Sequence, residues 1–132
     1  MPNSPRSSVP RIEHGAIWLA ILNPGKGTGP GKTRPVLVVQ SQTLLDAGHP
    51  STLVIPLTTN LVDDAEPLRL RVKAFARLKH DSDLLIDQLR AIDNRRLTSG
   101  PLGDCSPTLM RKVQAAIVEV LDLPGWQPGA GQ

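Results

Sequence analysis

Among the residues of this chain able to do chemistry, Arg34 has the most suggestive setting. It stands at the head of an apolar run, "PVLVVQ" (35–40), directly after "GKGTGPGK" (25–32), which holds four glycines and one proline. Such a segment excludes helix and lets backbone N–H groups approach a ligand closely. A guanidinium at its end offers a planar fork of donors that suits a phosphate better than a lysine does. The glycine spacing ahead of "GK" is not that of a P-loop, and no helix follows. Two readings of the loop stand: a basic connection between strands, or a backbone cradle that delivers an arginine to an anion.

The second feature is "PLTTN" (56–60), which sets Thr58 and Thr59 at the end of a branched apolar run. Threonine there is ordinary strand chemistry. If 35–40 and 51–58 are antiparallel neighbours, however, Arg34 and Thr58 meet at one end of the sheet. A hydroxyl donor beside a guanidinium can stabilise a charged phosphorane. His14, His49 and His80 are too dispersed for a local metal motif and read as solvated surface residues, with His49 as a possible acid or base. Asp63, Asp64, Glu66, Asp81, Asp83 and Asp87 form no paired-carboxylate or metal-ligand pattern and read as loop solubility. The cations Arg69, Arg71, Lys73, Arg77, Lys79, Arg90, Arg95 and Arg96 admit two equal readings, an extended polyanion footprint or a solvated, protected edge.

The elements that must position these residues are mostly strands. "AIWLAIL" (16–22), "PVLVVQ" (35–40) and "STLVIPLTT" (51–59) are short and branched, with Pro56 marking an edge or bulge in the third. "LRLRVK" (68–73) alternates Leu68, Leu70 and Val72 inward with Arg69, Arg71 and Lys73 outward. "SDLLIDQLRAID" (82–93) reads as a strand, with helix as the alternative. One helix is signalled by Ser106 as N-cap and Pro107 as first residue, with Leu109, Met110, Val113, Ala116, Ile117, Val120 and Leu121 on one face and Pro124-Gly125 as the stop. The pattern predicts a mainly β fold, a small barrel or sandwich with a C-terminal α-helix. Residues 1–12 and 124–132, rich in Pro, Ser and Gly, are expected to be flexible tails around a domain at 13–123.

Composition narrows the function classes. The 132 residues carry 15 Lys+Arg and 12 Asp+Glu, a net charge of +3. That permits a phosphate-bearing partner without amounting to a non-specific nucleic-acid coat. The only aromatic residues are Trp18, Phe75 and Trp126, so a platform of stacked rings is excluded and the core must be aliphatic. Cys105 is alone, which rules out an internal disulfide and a thiolate zinc site. The longest uncharged apolar run, 16–22, is far too short to span a bilayer, and the N-terminus lacks a signal-peptide core, so a cytoplasmic location is expected.

Four segments in order resemble the MazF/PemK toxins of bacterial toxin–antitoxin pairs: "HGAIWLAILNP" (14–24), "GTGPGKTRPVLVV" (27–39), "VIPLTT" (54–59) and "LLIDQLRAIDNRRL" (84–97). The resemblance implies an SH3-like β-barrel with a C-terminal helix, acting as a homodimer restrained by a cognate antitoxin. It implies a metal-independent endoribonuclease, needing no cofactor, that cuts single-stranded RNA (mRNA) through the RNA's own 2′-hydroxyl. The products would be a 2′,3′-cyclic phosphate and a 5′-hydroxyl. Carried onto this chain, the catalytic residues are Arg34 and Thr58, with Thr59 replacing Thr58 if the register shifts by one. RNA contacts are expected from Lys26, Thr28, Lys32, Thr33, Thr59, Arg69, Arg71, Gln88 and Arg90. The chain departs from the family pattern at Ala16 and Gly29, where acids are usual, which implies a different cleavage sequence or weaker activity. A same-fold toxin that binds a protein target such as DNA gyrase is the alternative.

Overall fold

A computed structural model describes residues 11–22 and 32–124. It contains β1 (Ala16–Leu22), β2 (Lys32–Val38), α1 (Gln42–Asp46), β3 (Ser51–Thr58), β4 (Arg69–Val72), β5 (Ser82–Leu85), β6 (Arg90–Asp93), β7 (Leu97–Asp104) and α2 (Pro107–Leu121). The strands form one antiparallel sheet in the order β4-β5-β3-β2-β1-β7, and β6 also pairs with β3. The sheet wraps without closing. Between its two ends, the Arg77 N–H in the β4–β5 connection donates to the Leu102 carbonyl of β7 at 2.7 Å. The expected barrel is therefore an open, curled one.

Alternation in the first three strands divides the core. Ile17, Leu37, Ile55 and Leu57 point to one face, where Leu70, Val72 and Leu84 join them under Met110, Val113 and Ala116 of α2. Ala16, Trp18, Ala20, Val36, Val38 and Val54 point to the other, with Ile92 of β6. Helix α2 begins as its sequence dictates: Ser106 Oγ accepts from the Leu109 N–H at 3.1 Å, with Pro107 in the first turn. It ends at Asp122, held in the left-handed region at φ 55°. Leu121, expected on the buried face, is exposed in this last turn.

Pro56 lies at the centre of the sheet, contrary to the expected edge. Strand β3 pairs with β6 through Ser51–Val54 and with β5 through Leu57–Thr58. Pro56, which has no N–H, falls in the gap between these ladders, where none is required. The run 82–93 accordingly splits into β5 and β6 about a 3-10 turn at Ile86–Gln88. Leu68 is exposed as well, because the chain is still in a turn there, its N–H donating to Ala65 O at 2.9 Å. Strand alternation starts only at Arg69.

Neither β7 nor α1 is announced by sequence. β7 reads "LTSGPLGD", turn chemistry by composition, yet it pairs with β1 through two register shifts. Gly100 explains one of its glycines: a Cβ there would fall inside van der Waals contact of the Trp18 ring. Gly100→Ala is expected to cost about 1–3 kcal/mol of stability through overpacking, read as a lower urea midpoint with unchanged slope. No helix among the described residues is long and apolar enough to cross a membrane.

Candidate functional site

The register of the sheet assembles the site. Ala20 stands opposite Arg34, and Val36 opposite Pro56. Arg34 lies two residues before Val36 and Thr58 two after Pro56, so both stand on one face just past the last paired residues of β2 and β3. Thr58 in turn pairs with Asp83, and Asp83 with Arg71. Directly opposed residues share a face, so Ala20 and Arg34 on one side of the β2–β3 gap, and Thr58, Asp83 and Arg71 on the other, lie on the same face of the curled sheet. Pro35, whose nitrogen faces β3, contributes no N–H to the β2–β3 ladder, and the pairing ends at Val36 and Pro56. Beyond them the strands part over a cavity of about 290 Å³, lined by Lys32, Thr33, Arg34, Pro35, Leu57, Thr59 and Ser82.

Two cations and no carboxylate line this cavity. Arg34 is half-buried and, among the described residues, has no carboxylate partner; Arg69 and Arg71 do. A guanidinium so placed keeps its donors for an incoming anion. Thr58 Oγ1 accepts from the Asn60 N–H at 3.1 Å, which orients the hydroxyl and leaves its hydrogen to donate elsewhere. Thr59 faces the opposite way, into the cavity, together with Ser82. Through Pro35, Thr59 and Ser82 the cavity continues into a larger one of about 500 Å³, mostly apolar and bordered by Arg77, Lys79 and His80.

The other expected contact residues are dispersed. Arg90 lies opposite Val54, on the same face as Arg34 but about 13 Å further along the strands. Gln88 ends the 3-10 turn and is exposed. Lys26, Thr28 and Gly29 lie outside the described residues. Arg69 and Arg71 are not displayed to solvent as a free pair. Arg71 Nε donates to Asp83 Oδ1 at 2.6 Å and Arg71 donates again to Asp63 at 2.8 Å, while Arg69 donates to Asp83 Oδ2 at 3.1 Å.

Asp83 is the residue that the sequence misrepresents most. Read as loop solubility, it is 1% exposed. Burial alone would raise its pKa, but hydrogen bonds from Arg71, the Val62 N–H and Arg69, with the charge of Arg71, outweigh that and hold it below the ordinary carboxylate value. Nothing local signals this, since its partners come from β4 and from the 60–62 turn.

The histidines separate. His14 is half-buried and structural: its Nδ1 lies 3.1 Å from Gln40 O, and its backbone N–H donates to Gln42. His49 precedes β3 while Thr58 ends it, so the two lie at opposite ends of an eight-residue strand, about 20 Å apart or more. His49 is thereby removed as a base for chemistry at Arg34. The Cys105 thiol is pushed up to about 11 by burial, with Asp104 adding to the shift, and so stays protonated and unreactive at neutral pH. Among the described residues no three His, Cys, Asp or Glu side chains gather as a metal site.

A small, open, mainly β sheet backed by α2 carries, at a gap between strands, an arginine with no carboxylate partner among the described residues. The PemK-like, MazF-like toxin family of type II toxin–antitoxin systems matches residues 13–121, and this chain belongs to that family. Its fold is that of several solved structures. One is a MazE–MazF complex from Deinococcus radiodurans, with a TM-score of 0.71, 17% identity, and coverage of 87% of this chain and 99% of that one. Another is the Mycobacterium tuberculosis toxin MazF-mt6, with a TM-score of 0.68, 23% identity, and coverage of 84% and 99%. A third is an endoribonuclease in complex with its cognate antitoxin from a mycobacterial species, with a TM-score of 0.66, 21% identity, and coverage of 86% and 97%.

Proposed function

We propose that this protein is a sequence-specific endoribonuclease toxin that cuts single-stranded RNA, mRNA above all, without ribosome, metal or cofactor. The observation that carries this reading is Arg34 without a carboxylate partner among the described residues, lining a cationic cavity free of carboxylates at the strand end where Thr58 stands. Arg34 clamps the two non-bridging oxygens of the scissile phosphate through parallel hydrogen bonds, and the Thr58 hydroxyl donates a third as charge builds on phosphorus. The RNA's own 2′-oxygen attacks in line and displaces the 5′-oxygen. The strands then release a 2′,3′-cyclic phosphate and a 5′-hydroxyl.

Arginine stays protonated in proteins, so Arg34 is a clamp and not a base. Positioning supplies much of the rate; water takes the proton of the 2′-hydroxyl and gives one to the departing 5′-oxygen. The adjoining apolar cavity with Arg77, Lys79 and His80 at its border supports a footprint longer than one phosphate. A homodimer and a cognate antitoxin that covers the Arg34 cavity with an acidic segment complete the reading, in keeping with the MazE–MazF complexes of the same fold. Of the tails expected around a domain at 13–123, residues 1–10 and 125–132 lie outside the described residues.

The test is direct. Purified protein with a long RNA in excess EDTA is expected to give discrete cuts at one short sequence, with cyclic phosphate on one side and 5′-hydroxyl on the other. An absolute need for added divalent metal, or ends carrying 5′-phosphate, would contradict the chemistry.

A further inference from the structure

We propose that Asp83 is a positioning residue for this site: from the neighbouring strand β5 it clamps the turn that fixes the Thr58 hydroxyl. The inference rests on the nuclease reading above and assigns the site a residue that touches no substrate.

The clamp is a short chain of bonds. Asp83 Oδ2 accepts from the Val62 N–H at 2.9 Å and from Arg69 at 3.1 Å. The same Arg69 nitrogen donates to Asn60 O at 2.8 Å. The Asn60 N–H donates to Thr58 Oγ1 at 3.1 Å. Asp83 is also the direct cross-strand neighbour of Thr58. The segment from Thr58 to Val62 is therefore held at its middle by the Arg69 guanidinium and at its far end by the Asp83 carboxylate, and the Asn60 N–H so placed holds the Thr58 hydroxyl. Residues 59–62 are all exposed, and none of them belongs to the core, so core packing does not fix them. The buried ion pair does.

Such a triad is a poor way to gain stability, because well-packed apolar residues of similar size do as well or better. What apolar residues cannot do is accept the Val62 N–H or reach Asn60 O. Their geometry would be lost while the fold survives, and this separates a positioning role from a structural one.

The experiment uses the triple variant Asp83→Leu/Arg69→Met/Arg71→Met beside wild type. It follows cleavage of an RNA oligonucleotide bearing one mapped site and amide hydrogen exchange at Asn60 and Val62. The triple variant is expected to keep a wild-type thermal midpoint within a few degrees. Its kcat should fall at least about 10-fold with KM within 2-fold, and both amides should exchange at least about 10-fold faster. Arg69→Met alone, which leaves the Asp83–Arg71 pair, is expected to give a smaller kcat loss and covers the case in which the triple variant does not fold. A wild-type kcat in the stable triple variant overturns the proposal. So does a raised KM with unchanged kcat, which would make the arginines RNA contacts. If wild type cuts no RNA, the nuclease reading fails separately, and the exchange rates still decide: unchanged protection of Asn60 and Val62 overturns the clamp.

Discussion

Arg34→Ala is expected to cleave RNA at least about 100-fold more slowly than wild type while melting at the same temperature. The magnitude follows from what is removed: donors aimed at the oxygens on which charge develops, each such donor contributing about 100- to 1,000-fold in related chemistry. The unchanged melting follows from the environment. Among the described residues Arg34 has no ion-pair partner, and it is half-buried at the rim of a cavity, so truncation leaves no orphaned charge. Arg34→Lys separates charge from geometry. It keeps the cation and loses the fork, so it is expected to recover only part of the rate. Single-turnover cleavage with saturating enzyme, beside a thermal melt, checks both statements. Wild-type cleavage by Arg34→Ala would remove the clamp from the mechanism.

Asp83→Ala is expected to be the most destabilising single substitution at this end of the sheet, at about 3 kcal/mol. The carboxylate is 1% exposed, and its removal leaves Arg69 without its carboxylate partner and Arg71 with only the exposed Asp63. The two arginine side chains are 23% and 34% exposed, and water screens them in part, which places the cost at the low end for a broken buried pair. The loss depends on pH in a definite sense. The folded carboxyl holds its proton less tightly than an unfolded one, so its stabilisation is complete above the unfolded value of about 3.9 and drains away as pH falls through the lower folded value. Urea titrations across the acid range are expected to show the wild-type advantage over Asp83→Ala in full at pH 6 and shrinking below pH 4. A constant difference down to pH 2 would contradict the assignment.

How much of this was legible in the sequence depends on how local each signal is. The branched apolar runs of β1, β2 and β3 and the Ser106-Pro107 start of α2 are written in neighbouring residues; β1, β3 and α2 appear where expected, and β2 runs over Lys32–Val38 instead of 35–40. The antiparallel approach of 35–40 and 51–58 was a supposition, and the observed ladder supplies it. What could not be read lies in long-range pairing. β7 has the composition of a turn because its glycines answer to Trp18 and Phe75, far away in the chain. Asp83 resembles every other acid of its region until β5 is laid between β3 and β4. The outward alternation of Arg69 and Arg71 was correct, but it carried no hint that Asp83 would occupy both of them. The distance between His49 and Thr58 is likewise a property of where β3 starts and ends.

The central claim is that a 2′-oxygen of the RNA is the nucleophile at a phosphate gripped by Arg34. An oligonucleotide with one mapped cleavage site, replaced at only the nucleotide 5′ to the cut by its 2′-deoxy form, tests this most directly. The expected result is binding within a few-fold of the all-RNA strand and no detectable cleavage at that bond. Scission of the deoxy-substituted bond at the rate of the parent RNA would show that the nucleophile comes from elsewhere, and the mechanism built on Arg34 and Thr58 would not stand.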